Sequence, residues 1–408
     1  MKSINIRFSK YTNIKEITVN SSKSESNRML IIQALSDEKI KINNLSKAND
    51  TIIMKDILAK KEQLIWNIED AGTTMRFLTA YASLKYKNKT LTGSKRMQKR
   101  PIGLLVDNLN KLGAKIEYLN KKGFPPIFIN KKINQKRHKI KIDGNISSQY
   151  ISALLMIGPK LKKGIKIKIK EPFYSKPYVE MTLNLMSRFG IKYTMKKNTI
   201  EINNQKYSKG TYTIESDWSS ASYWYSIIAI NKKINKIKLI GLKKESSQGD
   251  IIITEIMKNF GVKTIFKKEG IVIEKIETKI KNYEIDFKDC PDLAQTIMII
   301  AVIKNINLKI TGIESLKIKE TDRINAMTKE LKKIGGKLIF LNKKWFLSKK
   351  KEIKKEPIKI NTYKDHRIAM AFAPIASITS ISFDDSNVVK KSYTNFWKDL
   401  KKIGYLIS

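Results

Sequence analysis

The chain has 408 residues, with 81 lysines and arginines against 37 aspartates and glutamates, giving a net charge of +44. That length exceeds one ordinary hydrophobic core and predicts two domains. The single cysteine, Cys290, excludes an internal disulfide framework; two histidines and one cysteine speak against a zinc or iron–sulfur centre, and no apolar run could span a bilayer or serve as a secretory h-region.

A reducing cytoplasm is therefore the expected compartment. The lysines are spread along nearly every segment, together with isoleucine and asparagine, and form no stripe or module. The charge reads as compositional drift, so neither a specific nucleic-acid partner nor a membrane partner is expected. It should still draw anionic small-molecule substrates at low salt.

Two kinds of helix alternate along the chain. The first to appear opens at Ser26-Asn27-Arg28 and is apolar on nearly all sides, as buried helices are. A surface helix near Asp50 to Lys60 follows, without a closing glycine. Gly72-Thr73-Thr74 opens the next buried helix, and Pro101 marks the start of a surface helix closed by Gly113. The same alternation runs from Ser147-Ser148-Gln149 to Gly190, from Ser219-Ser220 to Gly261, from Asp292 to Gly335, and from Asp365 to Gly404. Ser219 and Ser220 are read as plain N-caps, and Pro374 should kink or shorten the last buried helix. Glycine just past a helix supplies the left-handed cap. Those at 113, 190, 261, 335 and 404 are spaced 77, 71, 74 and 69 residues apart. A period of roughly 72 residues, six times over, implies six copies of one α/β unit, three per domain.

Only nine of the basic residues are arginine, and six of them, Arg28, Arg76, Arg96, Arg100, Arg323 and Arg367, lie inside compact polar motifs; Arg7, Arg137 and Arg188 do not. Arginine presents a rigid fork that matches carboxylate and phosphate oxygens two at a time, which lysine cannot do. A chain that otherwise prefers lysine, yet keeps arginine beside Ser, Asp, Glu and His, points to a site needing forked anion contacts. Most of these motifs fall at the starts of buried helices, where free N–H groups and partial positive charge favour anions. If those starts converge on one cleft, it would suit a substrate bearing several phosphates or carboxylates.

In chain order the motifs are Ser22-Lys23-Ser24-Glu25-Ser26-Asn27-Arg28, Asp70-Ala71-Gly72-Thr73-Thr74-Met75-Arg76, Arg96-Met97-Gln98-Lys99-Arg100-Pro101, Ser147-Ser148-Gln149 and Ser175-Lys176-Pro177-Tyr178. Asp289-Cys290-Pro291-Asp292, Lys319-Glu320-Thr321-Asp322-Arg323, Asp365-His366-Arg367 and Lys390-Lys391-Ser392-Tyr393 follow. This succession closely resembles the 5-enolpyruvylshikimate-3-phosphate synthase family, from about Ile17 to the C-terminus. Lys-Glu-Thr-Asp-Arg and Asp-His-Arg are its most specific elements.

The resemblance implies a two-domain inside-out α/β barrel of six βαβαββ repeats, with the active site in the interdomain cleft. It implies crossings near Asn20 to Ser22 and near Glu215 to Asp217. Residues 1–20 with 216–408 would carry the acid/base pair and much of the phosphoenolpyruvate site, and 21–215 most of the shikimate 3-phosphate site. The implied reaction joins phosphoenolpyruvate to shikimate 3-phosphate with release of phosphate, on the route to chorismate and the aromatic amino acids, by a monomer with no cofactor and no metal.

Carried over residue by residue, shikimate 3-phosphate would be held by Lys23, Ser24, Arg28, Ser147, Ser148, Gln149, Ser175, Tyr178, Asp292, Ser315 and Lys319. Phosphoenolpyruvate would be held by Lys23, Gly72, Arg100, Gln149, Arg323, Arg367 and Lys391. Asp292 would take the proton of the 5-hydroxyl, Glu320 would protonate the methylene, and Lys23 would stabilise the departing phosphate. The chain departs from the family pattern at Asn20-Ser21, usually Pro-Gly; at Thr74, usually alanine; at Asp70, commonly asparagine; and at Ser315, usually asparagine. No departure removes a catalytic group.

Two other readings remain. The sister UDP-N-acetylglucosamine enolpyruvyl transferases share fold and donor, but place a reactive cysteine or aspartate on a mobile loop, unlike Cys290. A basic RNA-associated protein on the same scaffold rests on the net charge alone.

Overall fold

The structure, a computed structural model, describes residues 2–10, 16–353 and 356–408. The chain divides into two units, one formed by the residues up to Ser21 with Glu215–Ser408, the other by Ser22–Ile214. Each buries a core of its own. Trp66, Phe77 and Tyr150 lie in the core of the second, and Trp218, Trp224 and Phe260 in that of the first.

In the unit Ser22–Ile214 the helices are α1 (Lys23–Leu35), α2 (Asn49–Ala59), α3 (Gly72–Lys85), α4 (Gly103–Leu112), α5 (Ser148–Ile157) and α6 (Lys176–Arg188). In the other unit they are α7 (Trp218–Ile230), α8 (Ile253–Asn259), α9 (Ala294–Lys304), α10 (Arg323–Lys333), α11 (His366–Phe372) and α12 (Phe396–Lys402). Odd-numbered helices are the buried ones and even-numbered helices the amphipathic ones. In α7 all but Ser219 of the residues Trp218–Ile230 are buried, whereas α10 buries one face only.

One strand pattern recurs. Strands Ile65–Asn67 and Lys89–Thr92 are parallel; Lys89–Thr92 then pairs antiparallel with Ile127–Lys131, and that strand with Lys115–Tyr118. Strands Lys139–Asp143, Ile165–Lys170, Thr199–Ile202 and Thr194–Lys196 repeat this order. So do Asn282–Asp286, Asn307–Thr311, Lys344–Lys349 and Gly336–Leu341. A parallel pair needs a crossover, which each odd helix supplies; an antiparallel pair needs only a tight turn.

Two repeats borrow a strand from the N-terminus. Glu16–Thr18 pairs parallel with Lys236–Ile240 and so opens the repeat built on α7. Ile4–Phe8 pairs with both Ile381–Phe383 and Tyr405–Ile407 and completes the repeat built on α11. The unit Ser22–Ile214 is thus inserted between the first strand and the buried helix of one repeat. An antiparallel bridge between Ser21 and Ser216 stands at the insertion.

The first repeat is shorter than the sequence pattern implies. Its sheet contains only Ile40–Asn43 and Gly210–Thr213, paired parallel, with no hairpin strand. The missing glycine after α2 is the local sign of this, since nothing there turns the chain back into an antiparallel strand. Proline acts as expected at the other end of the chain. Helix α11 stops at Phe372 and tightens into a 3-10 turn over Ala373–Ser377, because Pro374 has no N–H to give.

Three helix starts differ from the sequence reading. Asp292 lies in a 3-10 turn, Pro291–Leu293, that precedes α9. Helix α4 begins at Gly103 and not at Pro101, because the amides of Ile102 and Gly103 both donate to the Gly123 carbonyl. The cap of α7 is Asp217, which accepts from the Ser220 amide at 2.8 Å, so neither Ser219 nor Ser220 is the cap.

All five closing glycines have left-handed backbone, with φ between +84° and +113°. Gly335 shows why the residue type matters. At its φ of +84° a side chain would be strained, and a Cβ would collide with the Lys351 carbonyl. Gly335→Ala should therefore lower the unfolding free energy by more than about 1 kcal/mol in urea titrations. An unchanged midpoint would contradict this account of the repeat boundary.

Candidate active site

In the unit Ser22–Ile214 the motif residues gather at the starts of α1, α3, α5 and α6. Ser22 caps α1 by accepting from the Glu25 amide, which leaves Lys23 and Ser24 in the first turn. Lys23 forms an ion pair with Asp50, at the start of α2, at 3.5 Å. Arg28, one turn further on, is almost fully buried. Its Nε donates to Thr182 Oγ1 at 2.7 Å, its Nη1 to the Ser24 carbonyl at 2.8 Å, and its Nη2 to Ser152 Oγ and the Tyr178 carbonyl at 3.3 and 3.0 Å. Burial pushes this guanidinium down to about 10. It braces α1, α5 and α6 together through neutral oxygens.

Gly72 opens α3 in contact with Arg100. A Cβ at position 72 would run into the Arg100 guanidinium, so the absence of a side chain is what lets that fork approach the free amides of α3. Arg76 holds the same corner, donating to the Gly72 carbonyl at 3.1 Å and the Pro101 carbonyl at 2.6 Å. At α5, Ser147 accepts from the Gln149 amide, and the Gln149 side chain donates to Thr73 Oγ1 at 3.1 Å. Helices α3 and α5 are thereby joined at their starts. Ser175, just before α6, is buried and left-handed, with φ of 57°. That conformation is strained for a residue with a Cβ and recurs at functional sites.

The other unit concentrates charge. Arg323, the first residue of α10, is about 1% exposed. Its Nε donates to Asp365 Oδ2 at 2.8 Å, its Nη1 to Asp292 Oδ1 at 3.0 Å, and its Nη2 to Glu320 Oε2 at 2.7 Å and Asp365 Oδ1 at 3.4 Å. One guanidinium therefore holds three carboxylates from three separate segments. Arg367 Nη2 donates to Asp292 Oδ2 at 2.7 Å, and Lys391 lies 3.7 Å from Glu320 Oε1. Asp292 and Glu320 each sit between Arg323 and a second cation.

Burial alone would push the Asp292 carboxyl up. Arg367, Lys319 and Arg323 outweigh it and hold Asp292 well below the usual carboxylate range. Burial pushes the Lys319 ammonium down. Asp250, which the sequence motifs did not include, behaves in the opposite sense to Asp292. Burial, with Asp292 nearby, pushes its carboxyl up to about 7, and the Ser219 hydroxyl donates to it.

The family model of EPSP synthase (3-phosphoshikimate 1-carboxyvinyltransferase) matches residues 57–400 of this chain. The chain belongs to the EPSP synthase family. It is 44% identical over 393 residues to a 3-phosphoshikimate 1-carboxyvinyltransferase of Bacteroides fragilis strain YCH46, covering 95% of either chain. To the protein of that name from Buchnera aphidicola subsp. Cinara cedri it is 40% identical over 424 residues, covering 95% of this chain and 94% of the other. An EPSP synthase structure from Acinetobacter baumannii superposes over 100% of both chains with a TM-score of 0.78 at 20% identity, a likeness of fold.

At Thr74, Asp70 and Asn20, where the chain departs from the family pattern, the side chain has a partner. Thr74 Oγ1 donates to the Asp50 carbonyl at 2.8 Å, tying α3 to α2. Asp70 accepts from the Ser94 hydroxyl. Asn20 donates to the Ser392 carbonyl at 3.1 Å, and its own carbonyl accepts from the Asp217 amide at 2.8 Å. Ser315 is buried in the 3-10 turn Glu314–Ile318. Cys290 is buried and burial pushes its thiol far up, the opposite of a reactive cysteine. Among the described residues no helix is long and apolar enough to cross a membrane.

Asp50 and Asp250 lie outside the motifs, whereas Thr73 and Asp365 lie inside them with no role assigned from sequence; only the fold shows that the Asp365 carboxylate faces Arg323.

The Arg367–Asp292 pair sets a pH dependence. A carboxyl held low contributes stability that is present above its unfolded value and lost as pH falls through its folded one. Removing Arg367 weakens that contribution and raises Asp250 further, so both effects penalise the variant most at neutral pH. Arg367→Gln should show its largest stability deficit near neutrality, narrowing toward about pH 3 in denaturant titrations. A deficit constant across that range would refute the pairing.

Proposed function

We propose that this chain transfers the enolpyruvyl group of phosphoenolpyruvate to the 5-hydroxyl of shikimate 3-phosphate, releasing phosphate. The observation that carries the reading is the pair of carboxylates, Asp292 and Glu320, fixed on one buried guanidinium at 3.0 and 2.7 Å. An addition–elimination of this kind needs one group to give a proton to the methylene carbon and another to take one from the attacking hydroxyl.

Glu320 is the donor in this proposal. In the structure its oxygens face Arg323 and Lys391. The carboxylate and phosphate of phosphoenolpyruvate engage those same cations, together with Arg367, and neutralising them lets Glu320 carry a proton. Its transfer to the methylene carbon breaks the C=C π bond and leaves C2 cationic. The 5-hydroxyl oxygen then bonds to C2, and its proton passes to Asp292. Asp292 is a weak base, being held low by its cations. That suffices, because a hydroxyl bonding to a cationic carbon becomes strongly acidic.

In the second half a methyl proton returns to a carboxylate, the C=C bond re-forms, and the C2–O bond to phosphate breaks with its electrons leaving on oxygen. Lys23 stabilises that leaving charge. Arg100 beside Gly72, with Gln149, takes the rest of the phosphoenolpyruvate contacts. Ser24, Arg28, Ser147, Ser148, Ser175, Tyr178, Ser315 and Lys319 hold shikimate 3-phosphate, with Lys23, Gln149 and Asp292 touching it also. The support is chemical fit. Hydroxyls and an amide at helix starts suit a phosphate and ring hydroxyls, whereas the charged cluster suits a small polyanion bearing a carboxylate and a phosphate.

Purified protein should release phosphate from phosphoenolpyruvate when given shikimate 3-phosphate, and not when given UDP-N-acetylglucosamine. Glu320→Gln should cut that turnover by at least about 10²-fold, the usual scale for general acid–base groups. Folded wild-type protein silent with shikimate 3-phosphate, or Glu320→Gln with near-normal turnover, would overturn the reading or the role.

A further inference from the structure

A tight turn stands immediately before Asp365. The Asp365 amide donates to the Thr362 carbonyl at 2.8 Å, and the two residues between, Tyr363 and Lys364, have φ of 52° and 57°. Two successive positive φ values make a type I′ turn, the turn that favours Asn-Gly or Asp-Gly because a Cβ strains both positions. The same chain makes a second pair of this kind at Asn342 and Lys343, φ 49° and 60°, between two hairpin strands and with asparagine in the first place. At 363 and 364 there is neither asparagine nor glycine, and one residue is aromatic. A strained backbone of this sort persists only where its surroundings fix it.

Glu330 does much of the fixing. It lies in the middle of α10 and is fully buried. Its Oε1 accepts from the Tyr363 hydroxyl at 2.7 Å, and its Oε2 from the Asn361 amide at 3.3 Å. Lys333, one turn on, pairs with the same carboxylate at 2.6 Å. Asp384 takes the Thr362 amide at 2.8 Å.

Helix α10 therefore touches the Asp365 segment twice, through residues two turns apart on one face. Arg323 grips the Asp365 carboxylate, and Glu330 grips the turn that delivers it. Asp365 in turn accepts from the Arg367 amide at 2.9 Å, and the Arg367 side chain holds Asp292.

We propose that Glu330 and Tyr363 form a positioning clamp, which holds the strained turn so that Asp365 stays on Arg323 and Arg367 stays on Asp292. The clamp touches no reacting atom and acts only through these residues. It rests on the function proposed above.

Tyr363→Phe removes only the hydroxyl, and Glu330→Gln removes the charge and turns one of the two accepting oxygens into a donor. In either variant kcat per folded molecule should fall by between about 10-fold and about 10²-fold, the scale of small misplacements at a reacting centre. KM for shikimate 3-phosphate should stay within about twofold. Adding Lys364→Gly, which removes the Cβ that strains the turn, should restore most of the lost kcat. Values of kcat within about twofold of wild type in Tyr363→Phe, or a loss that Lys364→Gly leaves untouched, would overturn the clamp. Should Glu330→Gln fail to fold, Tyr363→Phe carries the test. Hydrogen exchange separates this from the function itself. The Asp365 and Arg367 amides should exchange faster in Tyr363→Phe whether or not wild-type protein turns over shikimate 3-phosphate. Unchanged exchange overturns the clamp, and wild-type silence overturns the function alone.

Discussion

One buried guanidinium organises the charged half of this molecule. Arg323 brings Asp292, Glu320 and Asp365 to a single planar fork, three carboxylates that would repel one another without it. Arg367 and Lys391 complete the set on the far sides of Asp292 and Glu320. Removing one partner from a buried network of this kind leaves an uncompensated charge, at a cost of about 3–5 kcal/mol. The fork geometry also explains an oddity of composition. A chain with so many lysines retains arginine here because an ammonium cannot satisfy three carboxylates in one plane.

The repeat explains how such residues reach their places. In each full repeat a strand leads into a buried helix, and the residues at that junction carry the motifs. Gly72, Ser147, Asp292 and Asp365 all occupy equivalent junctions. The even helices contribute from their own first turns, with Tyr178 on α6 and Arg323 on α10. Ordinary packing of α/β layers thus sets polar groups at helix starts, where backbone amides already favour anions. Strain then marks two junctions, at Ser175 and at Tyr363–Lys364.

Much of this was legible in the sequence, because it rests on local chemistry. Gly113, Gly190, Gly261, Gly335 and Gly404 announce left-handed caps through the one residue type that adopts them freely, and Pro374 ends α11 for lack of an N–H. The all-apolar runs after Gly72 or Asp292 declare burial. What stayed hidden depends on contacts distant in sequence. Nothing near Arg28 shows that its donors go to Thr182, Ser152 and Tyr178, and nothing near Glu330 shows Tyr363 across a separate segment. Nothing in the sequence around Asp250 shows that it is buried beside Asp292, which pushes its carboxyl up. The shortened first repeat was signalled only by an absent glycine.

Arg323 holds Asp292 and Glu320, the proposed base and acid, by its fork and not by its charge alone. Steady-state turnover of Arg323→Lys, measured on protein shown by circular dichroism to be folded, tests it directly. The variant should fold, with kcat lower by at least about 10²-fold, because a point charge cannot hold both carboxylates in register. A folded Arg323→Lys enzyme turning over at near wild-type rate would contradict it.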